Sequence, residues 1–380
     1  MRTCAFFAVF MDIELFIEML NIDSTSGKEA GFADFLTDRL AGPGRRVETF
    51  EVGDGTRNIL VSWGTPKVVF CSHLDTVPPY IPPTVCSGEI VTAFSKPRGD
   101  VFGRGTCDAK GQIFAMYEAC KVLESRGYTD FGLLLLAGEE TGSFGAKAFA
   151  AMSVKPFPTE DILLVVGEPT DNFMASAAKG TKSYEVTFTG RACHSGYPEN
   201  GESAIVYFND FMNALRSIVF PKDIILGETT WNVGKLVSDN PQNILSDKLT
   251  CRVYFRTTFE SDDMVCNIMK NIAGPDAKLR FGRPKAQDGS DIAAKEVAPW
   301  QKAMCVRAFG GDTPSRFEVL EGFPSKPVAF GSDAPQLKCF RRKILCGPGS
   351  ILVAHKDQEH ISIRDLEAAR DNYVRIYEKL

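Results

Sequence analysis

Histidine is scarce in this chain, with four in 380 residues, and the eleven cysteines never fall in C-x-x-C spacing. Their odd number and irregular positions argue against a disulfide framework and fit a reducing compartment, with most of the thiols buried as small apolar groups. No apolar run reaches the roughly 20 residues needed to span a bilayer. The net charge of -5 leaves no basic stripe for nucleic acid and no polybasic tail for a membrane surface. There is no internal repeat and no low-complexity tract. The opening M-R-T-C-A-F-F-A-V-F-M-D lacks an apolar core of normal signal length and a small-residue cleavage site. It reads as an extension before a possible second start at Met11 rather than a signal peptide. These absences leave a cytoplasmic protein with a small-molecule partner as the expectation.

The composition, 44% apolar and 24% charged, is that of a globular enzyme-sized chain. Its length exceeds one ordinary core, so two domains, or one large and one inserted, are expected. Helical spacing predicts helices over 12–20 and 28–40, and strands are expected at 47–52, 58–63 and 68–73. Residues 78–97 are rich in Pro, Thr and Ser and suggest a surface excursion. Residues 103–111 read G-R-G-T-C-D-A-K-G, followed by a helix to about Arg126 that Gly127 ends. The runs 131–137 and 162–166 are apolar throughout, as strands covered on both faces must be. Strands of this kind alternating with helices imply an α/β fold with a mostly parallel sheet between helix layers, its ligand site beyond the carboxyl ends of the strands. His73, Glu139, Glu140 and Glu168 all stand at such ends.

From about Lys179 the pattern changes to strand 182–189, helix 203–218, strands 230–236 and 249–257, helix 261–273 and a short strand 278–281. That order is the split βαβ arrangement of a ferredoxin-like domain. An inserted domain is therefore expected at 179–285, with 1–178 and 286–380 forming the main domain. After a linker at 285–292, residues 300–309 are expected to be helical, and 327–330 and 343–346 to be strands. Ser362 with Asp365 three residues on marks the start of the C-terminal helix.

Three of the four histidines lie in motif-like settings: His73 in H-L-D, His194 in C-H-S-G and His355 in A-H-K-D. His-x-Asp at a strand end supplies an imidazole and a carboxylate that can hold its second nitrogen. A core strand that merely stops at two polar residues would look the same over nine residues. Asp108, Glu140 and Glu168 extend the donor set to imidazole plus carboxylate, which suits two divalent ions, zinc before cobalt or manganese, in a catalytic rather than structural site. Paired ions about 3.5–4 Å apart need a shared anionic ligand. Cys107 and Cys193 read as packed or incidental thiols, His360 as a surface residue, and Asp333 as a loop residue or a solvated turn aspartate.

Taken in order, S-H-L-D-T-V-P, G-R-G-T-C-D-A-K-G, G-E-E-T-G-S, G-E-P-T, G-R-A-C-H-S, F-R-T, G-S-D and A-H-K-D-Q-E resemble the M20 family of metallo-aminoacylases and peptidases along essentially the whole chain. The resemblance implies a zinc-exopeptidase-like catalytic domain with a lid. Asp108 would bridge two ions, with His73 and Glu168 on one and Glu140 and His355 on the other. Asp75 would orient His73, and Glu139 would act as general base on the attacking water. His194 would stabilise an oxyanion across a homodimer formed through the lid. Arg256, Asn243 and Gly331 would bind substrate. Ser246 stands where the family usually has proline.

Among functions, the motifs G-R-G-T-C-D and G-P-G-S-I-L-V-A-H-K-D-Q-E look closest to acetylornithine deacetylase, an enzyme removing an N-acyl group from an amino acid. Succinyl-diaminopimelate desuccinylase, aminopeptidase, dipeptidase and carboxypeptidase activities share the chemistry. A binding protein that keeps the fold without catalysis is the alternative from another class, and a general base at Glu139 speaks against it.

Overall fold

The computed structural model describes residues 11–53, 55–86, 99–281 and 296–380, and the chain falls into two compact units. The first comprises Met1–Ser176, Arg316–Lys326 and Ser332–Leu380, and the second Ala177–Ser315 and Pro327–Gly331. The amino-terminal extension, most of the Pro-rich excursion and the 285–292 linker lie outside the described residues.

The first unit is built on a six-stranded sheet in the order Arg46–Gly53, Thr56–Trp63, Phe131–Leu136, Val68–His73, Leu163–Val166, Arg342–Leu345. The last four run parallel, and the first two add antiparallel at one edge. Every residue of Val68–His73, Phe131–Leu136 and Leu163–Val166 is buried, the reason these strands are continuous apolar runs rather than alternating ones. Ile59, Val61, Phe70, Leu133, Leu135 and Val165 join one core with the helices Ile13–Leu20, Ala30–Leu40, Lys110–Ser125 and Ile363–Glu378. Residues alternating with them, such as Leu60, Leu134 and Leu164, are buried on the opposite face. The helix caps follow the sequence: Asp12 accepts the Leu15 amide, and Ser362 accepts that of Asp365.

The second unit carries a four-stranded antiparallel sheet ordered Thr230–Val237, Lys248–Thr257, Gly180–Thr189, Met304–Gly310. The helices Ala204–Ser217 and Asp262–Asn271 cover it through Phe211, Leu215, Val265 and Met269. Two expectations are corrected here. Residues 278–281 form no strand; the Lys278 and Leu279 amides instead fold back onto the Asn271 carbonyl. Residues 300–309 are not one helix either. After a single turn at Pro299–Lys302 the chain extends as Met304–Gly310 and pairs with Gly180–Thr189, supplying the fourth strand. The second unit accordingly continues to Ser315, beyond the boundary expected at 285.

Candidate metal centre

His73 ends its strand with the ring buried, and both nitrogens are engaged. Nδ1 donates to the Asp75 carbonyl oxygen at 2.9 Å and lies 3.4 Å from Asp75 Oδ1, while Nε2 faces Asp108 Oδ1 at 3.0 Å. Asp108 comes from the turn before the helix Lys110–Ser125, and its other oxygen, Oδ2, lies 3.2 Å from His355 Nε2. That same nitrogen is 2.9 Å from Glu140 Oε1. His355 holds a left-handed φ of 63°, a conformation that costs a residue with a side chain about 1–3 kcal/mol and is tolerated where the surroundings fix it.

Two sets of donor atoms follow, each within 4.8 Å of one another: His73, Asp108 and Glu168, and Asp108, Glu140 and His355. Asp108 belongs to both. A third set, His73 with Glu139 and Glu140, places the expected base beside the same imidazole.

The electrostatics test whether a cation fits. With Nδ1–H given to a carbonyl, a neutral His73 would aim a lone pair at the Asp108 carboxylate, so either a second proton or a metal ion must sit between them. Burial opposes a charge on His73, but hydrogen bonds to Asp108 and Asp75 overcome it and hold its pKa well above the usual imidazole value. Those to Asp108 and Glu140 push His355 up to about 10. Burial would raise Asp108 as well, yet the two imidazoles hold it below the ordinary carboxylate range. Glu139 and Glu168 are pushed well above that range, first by burial and then by the neighbouring carboxylates. Buried carboxylates crowded around two imidazoles need positive charge, and nitrogen-plus-oxygen donors match a divalent ion of the zinc, cobalt or manganese kind.

Asp75 sits behind this cluster, fully buried. Oδ1 accepts the Glu139 amide at 2.9 Å, and Oδ2 accepts the Glu140 amide at 3.1 Å and the Ser26 hydroxyl at 2.9 Å. Asp75 thus holds the His73 ring through its main-chain carbonyl and the backbone carrying the Glu pair through its carboxylate. Ser26 is absent from the expected site; its only sequence signal is the Ser-Thr-Ser-Gly cluster at 24–27, which reads equally well as a helix breaker.

The expected oxyanion and substrate-binding residues lie in the second unit. His194 is exposed, accepts the Gly196 amide on Nδ1 at 3.1 Å and pairs in a short bridge with Ile244, beside Asn243, whose carbonyl accepts the Ser195 amide. Ser246 holds the same loop through its hydroxyl, 3.0 Å from the Lys248 carbonyl and 2.7 Å from the Ser238 hydroxyl. Arg256 is half-buried over the Tyr254 ring, 5.0 Å from its centroid, and a Cβ placed on Gly331 would meet its Nη1 at 3.8 Å. Cys107 is buried and inert, its thiol pKa raised by burial. Asp333 is buried, not a solvated turn. His360 stacks on Phe102 with ring centroids 4.9 Å apart.

Comparison with known proteins identifies the family of the chain. Residues 69–379 match the family described as Peptidase family M20/M25/M40. A probable carboxypeptidase of Aspergillus clavatus is 30% identical, covering 95% of this chain and 87% of its own. Among solved structures, a tripeptidase from Staphylococcus aureus superposes with a TM-score of 0.71 at 19% identity, covering 97% of this chain and 98% of that one. An M20 family metallo-carboxypeptidase from Sulfolobus solfataricus gives 0.63 at 14% identity, covering 97% and 99%. The likeness to the two solved structures is one of fold, whereas the family match spans most of the sequence, and the chain belongs to the M20/M25/M40 peptidases, hydrolases of amide bonds.

Proposed function

We propose that this protein is a two-metal exopeptidase of carboxypeptidase type, cleaving the amide that joins a terminal amino acid with a free carboxylate to a short peptide or acyl group. The observation that carries the reading is Asp108, whose two oxygens face the imidazoles of His73 and His355 at 3.0 and 3.2 Å. His73, Asp108 and Glu168 would hold one ion and Asp108, Glu140 and His355 the other, with zinc the first choice. Divalent ions bound there supply Lewis-acid polarisation of the amide carbonyl and make water acidic enough to give up a proton near neutrality.

The chain's own residues do the rest. Glu139 takes a proton from the water as its oxygen attacks the amide carbon, then delivers that proton to the amine nitrogen as the C–N bond breaks. Burial favours the protonated carboxyl once it has accepted, and nearby cations favour the ionised form that must accept first. Asp75 keeps the Glu139 backbone and the His73 ring in fixed relation. Arg256 suits a substrate carboxylate through its planar fork of donors. His194 is assigned to the oxyanion, in a homodimer formed through the second unit, on resemblance alone.

The carboxypeptidase side of this reading is supported by the Aspergillus relative, named a probable carboxypeptidase. The second reading, N-acetylornithine deacetylation, draws on the motifs G-R-G-T-C-D and A-H-K-D-Q-E. Both substrates present the same amide beside a free carboxylate, so one assay separates them. Metal-reconstituted protein is offered dipeptides, longer peptides, N-acetylornithine, N-succinyl-diaminopimelate and other N-acyl amino acids, and the released amino acid is identified. Release of C-terminal residues from peptides supports the proposal. Preference for acetylornithine replaces it with the second reading, and no turnover on any substrate leaves a binding protein.

A further inference from the structure

We propose that Glu359 is a positioning residue for the metal-ligand set, acting through the backbone of Asp108 rather than by touching an ion; the inference rests on the metal-dependent reading above. Glu359 is fully buried, and its carboxylate sits inside the turn that presents Asp108. Oε1 accepts three main-chain amides, those of Gly105 at 3.0 Å, Cys107 at 3.0 Å and Asp108 at 3.1 Å. Oε2 accepts Arg104 Nη1 at 2.6 Å. Successive amides turned toward one anion form a nest, and the turn can make it because Gly105 adopts a φ of 85° where a Cβ would press to 2.9 Å from Thr76.

The fold explains why this side chain is available. The strand His360–Ser362 pairs antiparallel with Asp100–Phe102, His360 opposite Phe102, so residues 103–108 and 355–359 leave the same end of one ladder. The Gly103 amide closes the junction by donating to the Glu359 carbonyl at 3.0 Å. His355 lies four residues before Glu359, and Asp108 hangs from its carboxylate. One side chain therefore ties together the segments bearing two ligands whose reactive atoms are 3.2 Å apart. Arg104, only 2% exposed, extends the tie by donating Nε to the Pro79 carbonyl at 3.2 Å, on the segment that follows His73 and Asp75. It also donates Nη1 to the Lys356 carbonyl at 3.3 Å.

A buried ion pair by itself adds little net stability, because desolvation cancels most of the attraction. Three amides converging on one oxygen do something different: they fix where the Asp108 main chain starts, and hence where its two oxygens point. Groups that orient ligands in this way affect metal affinity roughly 10–100-fold.

The test uses metal-free full-length protein and two variants. Glu359→Asp keeps the charge on an arm too short to reach all three amides, and Glu359→Gln keeps the size but cannot serve both the amides and Arg104 as an acceptor. Three quantities are read: the Co2+ dissociation constant by competition with a chelator, the visible absorption of the Co2+ protein, and thermal unfolding in excess chelator. The expected result is Co2+ binding weakened about 10–100-fold, with altered absorption bands, in variants that still unfold cooperatively. Parent-like affinity and absorption in either cooperatively unfolding variant overturns the assignment. Loss of cooperative unfolding in both overturns it too, since Glu359 would then be a requirement of the fold and not a positioning device. A parent protein that binds Co2+ but cleaves no peptide or N-acyl amino acid removes the functional reading and leaves this one standing, whereas a parent that binds no divalent ion removes both.

Discussion

Asp75 in the first unit and His194 in the second are held in opposite ways. Both Asp75 oxygens are occupied by amides and a hydroxyl in a fully buried setting. His194 is exposed, and its ring accepts the Gly196 amide. The first is held on every side by main-chain and side-chain donors, and the second is held by its own loop. Asp75 stands behind the donor cluster, where a small misplacement would be most costly to a site that has to be preorganised. A variant at the buried end should therefore disturb metal binding and stability together, and one at the exposed end should disturb turnover alone.

The largest effect is expected at Glu139. Glu139→Gln should lower turnover by about 10²–10⁴-fold while the metal content, measured by atomic absorption, stays nearly unchanged. Undiminished activity would remove the proposed base. His194→Ala should lower kcat by roughly 10²–10³-fold if it supplies an oxyanion donor, with no change in unfolding temperature because the side chain is exposed. Mixing His194→Ala with Arg256→Ala chains should restore part of the activity if subunits share sites, and strictly additive losses would count against sharing. Asp75→Asn should act in the reverse sense. An amide cannot accept from both Glu amides and Ser26 as the carboxylate does, so metal affinity should fall about 10–100-fold and stability in chelator by roughly 1–3 kcal/mol. Parent-like stability in that variant would erase the contrast with His194.

The smallest effect on turnover should come from Lys110→Met, which should act on stability instead. Burial lowers the Lys110 ammonium to about 7 from 10.5, although it donates to the Met19 and Ile22 carbonyls. Below pH 7 the folded and unfolded chains both carry the proton, and the burial cost is present in full. Between pH 7 and 10.5 the unfolded chain binds more protons, so stability rises with pH as that cost is lifted. In chelator, Lys110→Met should flatten this rise, which denaturant titrations at several pH values would detect.

The parts legible in the sequence were those whose partners leave a pattern. Val68–His73 could be read because burial on both faces demands an unbroken run of apolar or compact residues, Val68 to Ser72, ahead of His73. The donor residues that the structure gathers, His73, Asp108, Glu140, Glu168 and His355, could be picked out because a strand end or a polar motif is visible without knowing what it meets. Met304–Gly310 was misread as helix for the opposite reason: it lies at the edge of its sheet with most residues half-buried or exposed, so no alternation marks it, while Pro299 and Trp300 before it do begin a helical turn. Glu359 stood in a quoted motif without a role because its partners are mainly main-chain amides, which every residue except proline possesses. Ser26 was hidden similarly, its acceptor lying 49 positions away.

The order of the central sheet also bears on how the chain matures during synthesis. Leu163–Val166 pairs with Arg342–Leu345, so the first unit cannot complete its sheet until the whole of the second has been made. The Gly180–Thr189 sheet, by contrast, needs only residues up to Gly310. The later-starting unit can therefore close first, as domains tend to fold when their last element emerges from the ribosome. His355 is the last of the clustered donor residues to be synthesised, and a nascent chain stalled before it would carry Asp108 and Glu140 without the imidazole that faces them.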